Sequence, residues 1–180
     1  MYNKFGTILH IHRFRPRSQT AYSVSADGSL LYMFGGVETS NNRALPSIQE
    51  FRRNGPGLQH LTSGLPASFL AVAITLTSGK VFITGGKNSE RKAFLLEVTK
   101  DAVEWTECAD MKYERIGHAG ARIVYDQEEL VIVAGGWNSQ KRAQDTVEKY
   151  SFESNSWRPL SRLPQPRAYF ALQVFKNKYE

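Results

Sequence analysis

Two adjacent glycines stand at three places in this chain, Gly35-Gly36, Gly85-Gly86 and Gly135-Gly136, and the step between them is 50 residues both times. Each pair closes a short apolar run: Leu31-Tyr32-Met33-Phe34, Val81-Phe82-Ile83-Thr84 and Val131-Ile132-Val133-Ala134. A fixed period of this length marks a supersecondary unit that cannot bury its apolar faces alone, so neighbouring units must stack. That requirement constrains the fold more tightly than any local motif.

The residues after each diglycine keep the period. Tyr150 and Trp157 lie seven residues apart in the third unit, as do Val98 and Trp105 in the second and Phe51 and Leu58 in the first. Ten residues further on comes a position that opens the next unit: Ser68, Arg115 and Arg167, with Arg17 opening the first. The repeats therefore run over about 17–67, 68–114 and 115–166 within a single repeat region, 1–180. Unit three reads as four strands, over 118–124, 130–134, 146–151 and 156–160. In unit one, Asp27-Gly28 signals a hairpin with positive φ at both positions. Helical periodicity nowhere persists for a dozen residues. Four short strands per unit of about fifty residues give an all-β array of propeller blades. Single strands over 7–12 and 169–175 belong to flanking blades. Three blades do not close a ring, since closed propellers use about four to eight. The expectation is an arc of a larger propeller, or one that self-associates to complete a ring. Its end faces, around Ile8 and Val24 on one side and Phe170 and Val174 on the other, are apolar.

These residues resemble the kelch repeat, with its diglycine, its Tyr–six residues–Trp pair and its following Arg. Unit three is the nearest match, through Arg115-Ile116-Gly117-His118, Gly135-Gly136, Tyr150 and Trp157. Unit two departs with Val98 and Ser68, and unit one with Phe51 and Leu58. The resemblance covers about residues 7 to 175 and implies a partial β-propeller of about three four-stranded kelch blades. It implies binding more than chemistry: kelch propellers form the substrate-recognition end of BTB–kelch ubiquitin-ligase adaptors, attach to actin or serve as scaffolds. Some are enzymes, such as sugar-acid epimerases and copper oxidases. In that setting the diglycines permit close approach of a neighbour, and Tyr150, Trp105 and Trp157 fill the wedge between blades.

Charge supplies the functional clue. In an up-and-down blade, the loop after the diglycine strand and the connection to the next blade emerge on one side. Those loops, 12–18, 37–46, 63–68, 87–92, 109–117, 137–145 and 161–167, hold thirteen Lys/Arg against five Asp/Glu, although the whole chain is only +6. One rim is therefore expected to be basic, and arginine forks on such a rim suit carboxylates. The candidate partner-binding residues are Arg13, Arg15, Arg43, Lys87, Arg91, Arg115, Trp137, Gln140, Arg142 and Arg167. The partner expected is a protein carrying an acidic segment. Arg115 and Arg167 have a structural alternative, hydrogen bonding to loop carbonyls. Nucleic acid is disfavoured because the basic residues sit in separate loops without a recognition helix.

Catalysis finds no support in GxSxG, HExxH, P-loop or CxxC patterns. His10 and His12 share one strand face, a spacing that can hold zinc, yet no third ligand stands nearby. Hence no metal or cofactor is expected and no enzymatic activity. The only cysteine, Cys108, reads as a small apolar residue at the position of Leu160. Without an apolar leader, an 18-residue apolar run or a cysteine pair, the expected location is cytoplasmic.

Overall fold

The computed structural model describes residues 17–25, 27–52, 58–61, 64, 66–99 and 103–174, and among these there is no helix. Three four-stranded antiparallel sheets follow one another along the chain. The first is β2 (Ala21–Val24), β3 (Leu30–Phe34), β6 (Ile48–Arg52) and β7 (Leu58–Leu61). The second is β8 (Val72–Thr75), β9 (Val81–Thr84), β10 (Ala93–Val98) and β11 (Val103–Cys108). The third is β12 (Ala119–Tyr125), β13 (Glu128–Ala134), β14 (Val147–Ser151) and β15 (Ser156–Leu160). In each sheet the strands pair in chain order. A small extra sheet of β1 (Arg17–Ser18), β4 (Val37–Glu38) and β5 (Arg43–Ala44) decorates blade one.

The sheets stack as blades. β8 lies beside both β2 and β12, so the first strands of the three blades line a common inner side. Because side chains alternate across a strand, β9 serves two interfaces at once and is buried along its whole length. Val81 and Ile83 pack with Phe94 and Leu96 against Tyr32, Phe34 and Ile48 of blade one. Phe82 and Ala93 turn the other way, onto Val131, Val133 and Tyr150 of blade three. This two-sided burial explains why the diglycine strands read as unbroken apolar runs.

Two series of backbone hydrogen bonds repeat from blade to blade. Gly36 N–H donates to the Ser68 carbonyl at 2.9 Å, Gly86 to Arg115 at 2.8 Å and Gly136 to Arg167 at 2.9 Å. Nearer the axis, Leu70 N–H donates to Gln19, Gly117 to Leu70 and Tyr169 to Gly117, at 2.8–2.9 Å. The four residues of this second series all carry φ of 55–61°. The diglycine has a steric reason as well as a conformational one. A Cβ on Gly35, Gly85 or Gly135 would lie 2.1–2.6 Å from the carbonyl oxygen that opens the following blade.

The structure corrects four readings. The Tyr-type position of blade two is Leu96, not Val98: Leu96 pairs with Trp105 as Tyr150 pairs with Trp157, and it is fully buried while Val98 is not. The loop before β10 is shorter than its counterpart in blade three, and the β10–β11 ladder runs one pair further past Leu96–Trp105 than the β14–β15 ladder runs past Tyr150–Trp157, so a fixed count of residues lands on the wrong one. At the first hairpin only Gly28 has a left-handed φ, 70°. That loop exceeds two residues, with Ser25 N–H donating to Leu30 O, and Asp27 uses its carboxylate to accept from Ser25 Oγ, Ser29 N and Ser29 Oγ. The two-residue turn with both φ positive occurs instead at Asp126-Gln127 in blade three. Residues 169–174 form no strand, since a strand needs a ladder partner and none stands beside them among the described residues. Arg115, fourth, is interior and is treated below. The strand over 7–12, with His10 and His12, lies outside the described residues.

Candidate partner-binding rim

The loops following the diglycines and the inter-blade segments do meet on one rim. Met111 N–H donates to Arg91 O, Arg115 N–H to Glu90 O, Ser139 N–H to Glu114 Oε2 and Arg167 N–H to Gln144 O, at 2.7–3.1 Å. The Ser139 hydroxyl and N–H hold the Glu114 carboxyl below its usual range. Trp137 exchanges both main-chain hydrogen bonds with Ile116. The rim is thus built from rigid, cross-bonded turns. At its third loop, Asn138 accepts from Arg142 N–H through its side chain and from Lys141 N–H through its carbonyl, and Lys141 sits at φ 58°.

Part of the basic charge is neutralised locally. Lys87 pairs with Glu90 at 3.1 Å, Lys92 with Glu107 at 2.5 Å and Asp110 at 3.2 Å, and Arg162 with Asp145 at 2.7 Å. Arg91 is exposed and spends its Nε on the Met111 carbonyl. Arg43, Gln140, Lys141, Arg142 and Arg167 are exposed, and among the described residues no carboxylate pairs with these four cations. The Arg167 guanidinium lies over the Phe170 ring at 5.9 Å. Trp137 is half-buried with its indole N–H enclosed, so it presents only part of its ring. Arg13 and Arg15 lie outside the described residues.

Arg115 does not reach the surface; it is completely buried. Its Nη1 donates to Gly135 O at 2.7 Å and Thr146 O at 2.9 Å, while Nε and Nη2 donate to Glu148 Oε2 at 3.2 and 2.9 Å. The other carboxylate oxygen accepts from Lys112 N–H at 2.8 Å. Burial pulls the guanidinium's affinity for its proton down, against the raising effect of Glu148. Arg17 makes the same clasp in blade one, Nη1 to Gly35 O at 2.9 Å and Nη2 to Ser47 Oγ at 3.1 Å. In blade two the opening residue is Ser68, whose hydroxyl reaches Gly85 O at 3.3 Å. His118 follows Arg115 into the interior, within 2.8 Å of Thr84 Oγ1, and burial beside the Arg115 charge holds its pKa at about 3. Sequence reasoning missed Glu148 and Thr84 as partners. The signal was present: Glu148 is an acidic residue two before Tyr150 and so shares its inward strand face.

The aromatic positions behave as wedge fillers. Tyr150 stacks on Phe82 at 4.8 Å and meets Trp157 at 5.0 Å, and the Trp157 indole donates to Ala109 O at 2.8 Å. Trp105 stands edge-on to Phe94 at 5.4 Å and is more exposed. Cys108 occupies the place of Leu160, both opposite the first residue of the third strand, and burial raises its thiol pKa. No group of three His, Cys, Asp or Glu among the described residues is arranged to hold a metal. No helix among them is long and apolar enough to cross a membrane.

Comparison with known proteins agrees with this geometry. A sequence profile of the Kelch motif matches residues 127–164, the second to fourth strands of blade three. The third blade thus carries a Kelch motif, and the chain is similar to kelch-repeat proteins along most of its length. Mouse Kelch-like protein 23 is 28% identical over 167 residues, covering 89% of this chain and 28% of that protein. A Dictyostelium discoideum RING finger domain and kelch repeat-containing protein is 25% identical over 171 residues, covering 91% of this chain and 16% of its own length. Beta-scruin of Limulus polyphemus is 28% identical over 147 residues, 74% of this chain and 15% of that one. The chain therefore spans under a third of the length of each of these relatives.

Proposed function

We propose that this kelch arc binds an acidic segment of a partner protein on its diglycine rim and carries out no catalysis. The observation that carries the reading is the set of exposed cations Arg43, Lys141, Arg142 and Arg167, which form no ion pair with a carboxylate among the described residues, on loops fixed by cross-bonding. Rigid loops lower the ordering cost of binding, and unpaired arginines offer bidentate contacts to carboxylates. Lys87 and Arg91 add long-range attraction; Gln140 and Trp137 supply an amide and a partly exposed ring. The kelch-like relatives support substrate recognition for a ubiquitin-ligase adaptor as the setting, in the cytoplasm. A scaffold or actin-binding role would use the same rim with a different partner. Self-association is the further reading of the end faces, where Tyr22 and Val24 are about half exposed.

The test is an acidic-peptide array probed with the parent protein and with an Arg43→Glu, Arg142→Glu double variant. The parent is expected to bind in a salt-sensitive way and the variant to lose most of the signal. Exposed positions such as these shift stability by only about 0.5 kcal/mol, so both proteins should unfold at the same denaturant concentration. Equal array signals from both would overturn the reading. A duplex or single-stranded oligonucleotide outcompeting the peptides would do so too, by assigning the charge to phosphate recognition.

A further inference from the structure

The three blades are held by one backbone lattice, yet the side chains at corresponding points differ, and the difference leaves a space. Between blades two and three the rim end of the interface is filled by Arg115, His118 and Glu148, all buried. The lattice puts Ser68 at the place of Arg115, because each carbonyl accepts from the second glycine of the preceding blade. It puts Ala71 at the place of His118, three residues on. Ladder register puts Phe94 at the place of Glu148, opposite Ile83 as Glu148 is opposite Val133. A guanidinium and an imidazole are thus replaced by a hydroxymethyl and a methyl group. Between blades one and two the result is a pocket with a mostly apolar wall, lined by Ser68, Ala71 and Phe94 together with Leu45, Pro46 and Ser89.

A second observation points to a ligand. Ser89 is 5% exposed, lines this pocket, and its hydroxyl is enclosed without a hydrogen-bond partner. A buried hydroxyl left unmade is unfavourable by about 1–3 kcal/mol, so an occupant bringing a peptide N–H or carbonyl would satisfy it. The mouth opens among the basic loops. Arg43 precedes Leu45 by two residues, and Lys87 and Arg91 flank Ser89 at two residues on either side. We propose that the pocket between blades one and two is an anchor site for one small aliphatic side chain, carried by an acidic partner segment. The side chain rests on Phe94 and Ala71, the adjoining main chain bonds to Ser89 Oγ, and the flanking carboxylates meet Arg43, Lys87 and Arg91. This rests on the basic-rim reading for the flanks, whereas the anchor itself is a property of the pocket.

The experiment uses fluorescence anisotropy with four capped hexapeptides: acidic flanks around a central Val or Gly, and uncharged Ser-containing flanks around the same two residues. The acidic Val peptide is expected to bind about tenfold or more tighter than the acidic Gly peptide, the gain for burying one aliphatic side chain. Ala71→Leu, which fills the pocket, should bring that ratio towards one. Ser89→Ala, which keeps the shape and removes the hydroxyl, should weaken binding of the acidic Val peptide several-fold and guards against misfolding of the larger substitution. Equal binding of the acidic Val and Gly peptides would overturn the anchor and leave the basic rim standing. A Val preference unchanged in Ala71→Leu together with an unchanged affinity of the acidic Val peptide in Ser89→Ala would also overturn it, by placing the contact elsewhere. Val-dependent binding of the uncharged peptides with no gain from acidic flanks would keep the anchor and remove the basic-rim reading. Failure of all four peptides would overturn both.

Discussion

The two inter-blade junctions share one design and solve it with opposite chemistry. Where blade two meets blade three, the rim end holds a buried ion pair, Arg115 with Glu148, and a buried neutral imidazole, His118. Where blade one meets blade two, the same places hold Ser68, Phe94 and Ala71, and the junction relies on Val81, Ile83 and Leu96 against Tyr32, Phe34 and Ile48. What repeats is the backbone: the diglycine N–H to the opening carbonyl, and the left-handed residue bonded to its neighbour near the axis. A buried ion pair and a well-packed apolar substitute are often close in free energy, because desolvation offsets much of the attraction. One lattice can therefore carry either. The teaching is that the diglycine and its bonded carbonyl define the repeat, whereas the Arg clasp is one option for filling it.

The largest test of that comparison breaks the pair. Arg115→Ser alone leaves Glu148 buried without its counter-ion and should destabilise the protein by about 3–5 kcal/mol. Combining it with Glu148→Phe copies the first junction into the second and should recover a good part of the loss. Denaturant midpoints for the single and double variants decide it. A double variant no better than the single would show that the two junctions are not interchangeable.

A smaller effect separates the aromatic wedges. Trp157 contacts Tyr150 and Phe82 and donates to Ala109 O, so Trp157→Ala should cost about 3 kcal/mol, the lower end for a large aromatic because it is only half-buried. Trp105, 38% exposed and with Phe94 as its ring neighbour, should cost less on the same substitution. Thermal or chemical unfolding of the two variants ranks them. The reverse order would mean that the first junction depends on its outer strand more than its packing suggests.

The gentlest effect is a slope. His118 is held at about pKa 3 when folded, against an ordinary value of 6.5. Between those pH values the unfolded chain carries a proton that the folded chain refuses, so this residue makes stability fall as pH falls from 6.5 towards 3. The contribution is about 1.4 kcal/mol per pH unit. Ala71, its counterpart at the other junction, contributes none. Unfolding measured across that window should show a shallower slope in His118→Gln than in the parent, and identical slopes would place the imidazole outside the interior.

The period of 50 residues, the apolar runs before the diglycines and the turn residues determined the all-β blades, and unit three was legible nearly to the strand. These features are local, and burial on both faces of the second strand writes itself directly into composition. The basic loops were legible as a group because up-and-down connectivity alone fixes their side. The fate of individual residues was not. Arg115 and Arg167 open repeats with the same spacing, yet Arg115 is enclosed by blade three, where it clasps the Gly135 carbonyl and Glu148, while Arg167 is exposed. Leu96 and Val98 share the face turned towards blade one, and only the ladder register decides that Leu96, opposite Trp105, takes the buried place while Val98 stands nearer the strand end. The pocket beside Ser89 is a difference between two interfaces, formed by residues far apart in sequence. Sequence alone set the repeat; only the stacking of one blade on the next decided which cations are buried, which face solvent and where the packing leaves room.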